Sequence, residues 1–274
     1  MSAHFASRDY WETRFTTETS YEWLADWSAL RAQLLPLLST ASRVLIVGNG
    51  NSRLPLDVAG AVCGARILSS DYSSVVTARM REAWSVGVGG IGALSDADAA
   101  AAARVEWCEA DMTALEASPA VSASGPFDVI LDKGALDAVL ADGGDSWTPE
   151  TAALTASAAV CRSVAASLRD GGIFAVISFA QPVHRLQHLL QRVSGGGGGK
   201  AAIASLPAAA FQSQSKAAAA VSLESDDEWE TDLTPDVIPG GAPASTDCTG
   251  TLWTSCEVAP IDAGLGYFLY TLRK

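Results

Sequence analysis

The stretch RVLIVGNGNSRLP, residues 43–55, decides how the chain folds. Residues 44–47 are apolar and run straight into Gly48-Asn49-Gly50-Asn51-Ser52. A short apolar run ending at a turn signal reads as a buried strand. Gly48 and Gly50 lack a Cβ, so a ligand can approach the backbone there and the chain can take φ > 0. A dinucleotide fingerprint needs a third glycine where this chain has Arg53. No G-x-x-x-x-G-K-[ST] pattern occurs, which argues against a nucleoside triphosphate. Either a different small ligand or a plain strand-to-helix turn fits the stretch alone.

Similar runs lie on the C-terminal side. Residues 65–70 precede Asp71, 104–110 precede Asp111, 127–131 precede Asp132, and 171–180 form a fifth. They are too continuous for half-exposed strands and suit a parallel sheet buried on both faces. Helical stretches separate them. Residues 73–84 begin with serines suited to an N-cap. Residues 148–172 have Thr148 as a cap, Pro149 in the first turn, Arg169 near the end and Gly171 as the stop. LWTSCEVAP and GYFLYTLRK, joined by IDAGLG, read as an antiparallel pair. The pattern predicts an α/β protein. It has a Rossmann-like, doubly wound, seven-stranded sheet, mostly parallel, with an antiparallel C-terminal hairpin. One domain over residues 1–274 is expected, with low-complexity insertions at 85–103 and 194–250.

Composition narrows the class. The chain has 274 residues, 49% of the hydrophobic set, enough for one large core. Net charge is −13, so the chain repels phosphate backbones, and a basic protein partner is expected rather than nucleic acid. No apolar run reaches the ~18 residues that span a bilayer, and the opening MSAHFASRDYWETRF has no apolar signal region. A cytoplasmic monomer with no membrane partner is the expectation. The five cysteines form no C-x-x-C pair and read as buried free thiols. His184 and His188 share a helical face without a third ligand, so no metal site is expected and the pair reads as partner-facing polarity.

Ligands of open α/β sheets bind beyond the carboxyl ends of the strands, which draws Gly48, Asp71, Asp111 and Asp132 together. Asp71 lies 21 residues after Gly50, a spacing at which an acid commonly takes a ribose diol. It also suits an N-cap. Tyr72 offers a flat face to a sugar or base. Asp111 is placed to accept from an exocyclic adenine amine, with Met112 against the ring; an ordinary turn fits that pair as well. Asp132-Lys133 ends the fourth strand, at the reacting end of such a ligand or as solvated turn residues. Asp137 is read as a helix-face residue. Ribose and adenine contacts without pyrophosphate machinery fit S-adenosylmethionine, which carries its own activated methyl.

Seven motifs in order carry a resemblance: YWETRF, YEWLADWSALR, VLIVGNGNSRLP, SSDYSSVVTARM, FDVILDKGALDAVL, DSWTPET and GYFLYTLRK. The chain resembles the class I, seven-β-strand methyltransferases. More narrowly, it resembles the elongation factor 1-alpha lysine methyltransferases of the methyltransferase-like 13 and endothelin-converting enzyme 2-associated group. The match runs through residues 10–192, resumes near Leu252 and leaves out both insertions. It implies transfer of a methyl group from S-adenosylmethionine to a lysine of elongation factor 1-alpha or a similar protein. It also implies that residues 1–38 cover the cofactor's amino-acid end through Trp11, Arg14, Phe15 and Trp23. Gly48, Asn49 and Gly50 would underlie the cofactor, with Asn49 where the family has cysteine. Asp132 and Lys133 match the family's acid-lysine pair before glycine, and Asp132 is expected at the channel mouth, orienting the incoming amine. The alternatives are a small-molecule methyltransferase and a non-catalytic Rossmann-like interaction module.

Overall fold

The apolar runs become strands whose side chains alternate between two buried layers. In the computed structural model, residues 5–85, 95–141, 149–191, 244–246, 248–261 and 266–274 are described. The parallel strands are β1 Arg43–Val47, β2 Arg66–Asp71, β3 Val105–Glu109, β4 Phe127–Lys133 and β5 Leu168–Ser178. Leu45, Val47, Ile130, Phe174 and Val176 enter one core layer, while Val44, Ile46, Val129, Leu131, Ala175 and Ile177 enter the other. That is the period of two expected of strands covered on both faces. The edge strand β3 is the exception, with Glu106 and Glu109 exposed.

The sheet order is β3-β2-β1-β4-β5-β8-β7-β6, where β6 is Ala244–Thr246, β7 Ser255–Ile261 and β8 Tyr267–Arg273. Strand β8 runs antiparallel to β5, and β7 antiparallel to β8. The seven long strands form the predicted Rossmann-like arrangement. Strand β6, within residues 194–250, adds three residues at the edge beside β7. Residues 192–243 and 247 lie outside the described set.

Nine α-helices flank the sheet among the described residues: α1 Arg8–Thr17, α2 Trp27–Leu38, α3 Leu54–Ala61, α4 Ser74–Ala83, α5 Asp96–Ala102, α6 Pro119–Ser124, α7 Ala135–Val139, α8 Thr151–Ser167 and α9 Pro182–Leu189. Ser73 caps α4, its Oγ accepting the Val76 amide at 3.2 Å, as its sequence suggested. Helix α5 falls in the segment 85–103; Ser95 caps it and Ala101 and Ala102 are buried. No helix among the described residues is long and apolar enough to cross a membrane.

Some expectations need correction. Helix α8 stops at Ser167 and β5 begins at Leu168, so Arg169 and Gly171 belong to the strand. Gly171 takes φ +71° there, and Arg169 pairs with Asp128 of β4. Thr148 lies outside the described residues. Cys63 is exposed, whereas the other four cysteines are buried. His188 is buried and 3.1 Å from Ser157 Oγ, tying α9 to α8; it faces the core and not a partner. Burial pushes its pKa down to about 4.

Candidate active site

Register brings the strand ends to one edge. Val47 stands opposite Asp132, and Asp71 opposite Glu109. The order reverses at β1, leaving a crevice between the turn after β1 and the turn after β4. A cavity of about 490 Å³ opens there. Its floor is Gly48, Asn49, Gly50 and Asn51; Asp71, Tyr72, Ala110, Asp111, Met112 and Thr113 form one end. Lys133, Gly134, Ala135, Asp137, Ala138 and Val139 form the other, with Ala156 and Phe179. Phe5, Trp11, Phe15, Trp23 and Leu24 cover it.

Gly48 and Gly50 both take φ +56°. A Cβ on Gly48 would lie 2.3 Å from Ala135 Cβ, and one on Gly50 3.2 Å from the Phe15 ring. Both glycines are therefore required by the approach of α7 and α1 to the turn, whatever else the turn contacts. Asn49 holds the turn through Nδ2, which donates to Ser52 O at 3.0 Å. Arg53 points away, paired with Asp57 and Asp98 and set over Trp84.

Asp71 Oδ2 accepts the Gly50 amide at 2.8 Å and Oδ1 the Ser73 amide at 2.9 Å. Burial pushes this carboxyl up to about 6 despite those two bonds. A carboxylate has about four lone-pair positions, so two are left for a ligand. Burial pushes the Tyr72 phenol up as well. Asp111 Oδ1 accepts the Thr113 amide and hydroxyl, each at 2.8 Å, while Met112 is buried beside it. Asp71 and Asp111 thus each serve the turn role and line the cavity.

The N-terminal segment is tied down by two glutamates that its sequence did not single out. Glu12 of α1 accepts from Ser73 Oγ at 2.8 Å and from the Ser74 amide at 3.1 Å, at the start of α4. Glu22 accepts Ser52 Oγ at 2.7 Å, the Arg53 amide at 2.7 Å and Lys133 Nζ at 3.0 Å. The backbone amides they meet are revealed only by the fold. Trp11 stacks on Phe15 with centroids 5.5 Å apart, and Trp23 meets Trp11 edge-on at 5.9 Å.

Two expected site residues lie elsewhere. Arg14 does not line the cavity. Glu18 Oε1 takes its Nε at 3.0 Å and Nη2 at 2.6 Å, and the guanidinium sits 5.0 Å over Trp23. Asp132 is fully buried behind the wall, accepting the Ala135 amide at 2.8 Å and the Leu136 amide at 3.2 Å, so it starts α7 instead of standing at a channel mouth. Burial, reinforced by the nearby charge of Asp137, pushes it up to about 7. Lys133 does line the cavity, but its ammonium is held by Glu22 and by Trp23 O at 2.8 Å. Asp137, read as a helix-face residue, is buried and lines the cavity. Among the described residues no three His, Cys, Asp or Glu side chains cluster as metal ligands.

EEF1A lysine methyltransferase 4 of Mus musculus is 32% identical over 187 residues, spanning 66% of this chain and 64% of that protein. The protein of the same name from Bos taurus is likewise 32% identical over 187 residues, with the same shares covered. The chain thus spans just under two thirds of the length of that relative. The eEF1A lysine and N-terminal methyltransferase of Mus musculus is 30% identical over 196 residues, 71% of this chain and 24% of that one. The solved glycopeptide N-methyltransferase MtfA with (S)-adenosyl-L-methionine is 16% identical, covering 61% of this chain and 60% of its own, with a TM-score of 0.41. No family model matches.

Proposed function

We propose that the protein is an S-adenosylmethionine-dependent methyltransferase acting on a lysine of a protein, with elongation factor 1-alpha as the first substrate to try. The observation that carries this is one cavity of about 490 Å³ lined together by the glycine turn, Asp71 and Asp111-Met112. Its volume suits a nucleoside-sized ligand. When bound, the cofactor supplies a methyl group activated by its sulfonium charge. Asp71 would take the ribose hydroxyls on the lone pairs that Gly50 and Ser73 leave free. Asp111 and Met112 would receive the adenine, and Tyr72 would flank the sugar. Trp11, Phe15 and Trp23 exclude water from the reacting end, which matters because a lysine must lose its proton before attack and its free pKa is about 10.4. The names of the relatives support the choice of substrate. The acidic charge supports a protein partner over nucleic acid, and a monomer in the cytoplasm is the proposed setting.

Calorimetry with S-adenosylmethionine and S-adenosylhomocysteine tests the first half. Absence of binding by folded protein would leave a non-catalytic module. Incubation with labelled cofactor and elongation factor 1-alpha, followed by mass spectrometry of its lysines, tests the second. Binding without transfer to the factor, but with transfer to a small amine, would move the assignment to small molecules.

A further inference from the structure

Among the described residues, the large hydrophobic side chains that stay in water are Tyr21, exposed at 45%, and Phe179, exposed at 59%. Both border the cavity. Phe179 lines its β4/β5 end beside Ala138, Val139, Ala141 and Ala156. Ala141 and Phe179 are the exposed members of that wall, so they stand where it meets solvent. Tyr21 lies one ring outside the cavity. It meets the covering residue Trp23 edge-on with centroids 5.0 Å apart, and the Arg14 guanidinium sits 5.5 Å over its ring. Trp23 O in turn holds Lys133, whose register partner on β5 is Ile177, two residues before Phe179. The two exposed rings therefore flank the same end.

A hydrophobic side chain alone on a surface is ordinary, whereas exposed apolar groups gathered around an opening mark a contact site. The charges on this wall are already matched, Lys133 by Glu22 and Asp137 by Arg185. What the wall offers a visitor is hydrocarbon contact. A small amine held wholly within the cavity would touch Phe179 and never reach Tyr21, which does not line it. A chain lying across the opening would touch both. Tyr21 is fixed on one face by Trp23 and Arg14 and bare elsewhere, so it can take up a partner with little loss of side-chain freedom. Charge sets the kind of chain. Residues 18–26 hold three acids and no basic residue, Asp26 is exposed, and the whole chain carries −13. That balance favours a basic polypeptide.

We infer that Tyr21 and Phe179 form a docking rim for a basic polypeptide, gripping apolar side chains on either side of a lysine that enters the cavity between them. The rim distinguishes a lysine within a chain from a free amine, because half of it lies beyond the reach of a small molecule. The inference rests on the methyltransferase reading for the nucleoside's place at the Asp71 end, but its test does not need catalysis.

The probes are three capped pentapeptides and n-butylamine, titrated into the full chain by NMR with and without S-adenosylhomocysteine. One peptide has a central lysine between two leucines, one a lysine between two glycines, and one a glutamate between two leucines. The leucine-flanked lysine peptide should bind about tenfold more tightly than the glycine-flanked one, the gain from burying roughly two methylene groups. The glutamate peptide should be weakest. Tyr21→Ala and Phe179→Ala should each remove most of the preference for leucine without a change in Tm, since both side chains are exposed. Tyr21→Ala should leave n-butylamine binding unaltered. Should a variant fail to fold, contacts between the leucine methyl groups and the rings of Tyr21 and Phe179 in the wild type decide the matter, and their absence overturns the inference. Equal binding of the two lysine peptides, preference for the glutamate peptide, no binding of any peptide at millimolar concentration, or variants that keep the preference also overturn it. So does a dimer in light scattering that either variant dissociates, because the rim would then be covered by a second copy of the chain. The expected preference without S-adenosylhomocysteine binding would leave this inference standing and remove the methyltransferase reading; cofactor binding without the preference would do the reverse.

Discussion

Asp71 and Asp132 are both buried carboxyls at strand ends, yet their surroundings set them different tasks. Asp71 lines the cavity, and burial pushes it up to about 6. Ligand hydroxyls donate to its ionised form, so cofactor affinity should fall as pH drops through about 6. Calorimetry at pH 5 should read roughly tenfold weaker binding than at pH 7.5. Asp71→Asn should bind more weakly and lose that pH dependence; an unchanged profile would remove Asp71 from the site. Asp132 lies behind the wall and is pushed up to about 7, above an unfolded value of roughly 3.9. The folded state favours its protonated form. Its contribution is thus fully present below about pH 4 and lost as pH rises through about 7. Urea titrations should show wild type losing stability relative to Asp132→Asn across that window, by a few kcal/mol at order of magnitude. A flat difference would mean that Asp132 is not protonated in the fold. Both aspartates were legible as strand-end acids. Which of them meets the cavity was not, because sequence fixes a residue's place along a strand but not the wall in front of it.

At the level of elements, the segment from α1 to α2 is held over the cavity by charged contacts to three separate parts of the sheet. Glu22 alone joins Ser52, the Arg53 amide and Lys133, which is buried at 4% side-chain exposure. Burial lowers the pKa of Lys133, and Glu22 works against that shift. Glu22→Ala leaves this ammonium with the Trp23 carbonyl, and should cost about 1–3 kcal/mol in urea unfolding while weakening cofactor binding. Glu22→Gln keeps the acceptor oxygen and should cost less; equal stability of all three proteins would show that the strap does not depend on this contact. The helix N-cap at Ser73 and the strand runs were readable because caps and apolar runs are local signals. The end of α8 is not a local signal: Gly171 reads as a helix stop, yet the helix hands over to β5 without a turn, and Gly171 takes its positive φ inside the strand.

For the molecule as a whole, a ligand that binds the folded chain stabilises it by mass action. At 100 times its dissociation constant S-adenosylhomocysteine should add about 2.7 kcal/mol, or roughly 5–10 °C in Tm for a domain of this size. Differential scanning fluorimetry would read that shift, and its absence at saturating ligand would remove the cofactor assignment. The sequence by itself determined the strand succession, the parallel sheet with its antiparallel end, the glycine turn and the strand-end acids, because burial on both faces and chain reversal leave marks in neighbouring residues. Only the tertiary structure decided that Arg14 is bound to Glu18, that Asp132 caps α7, that Glu12 and Glu22 fasten the N-terminal segment, and that Asp137 lines the cavity. The fastening by Glu12 and Glu22 depends on partners distant in the chain: Glu12 meets residues more than sixty positions away and Glu22 reaches Lys133 across 111 positions. A hydrogen bond across such a span is set by packing of whole elements, which no local pattern encodes.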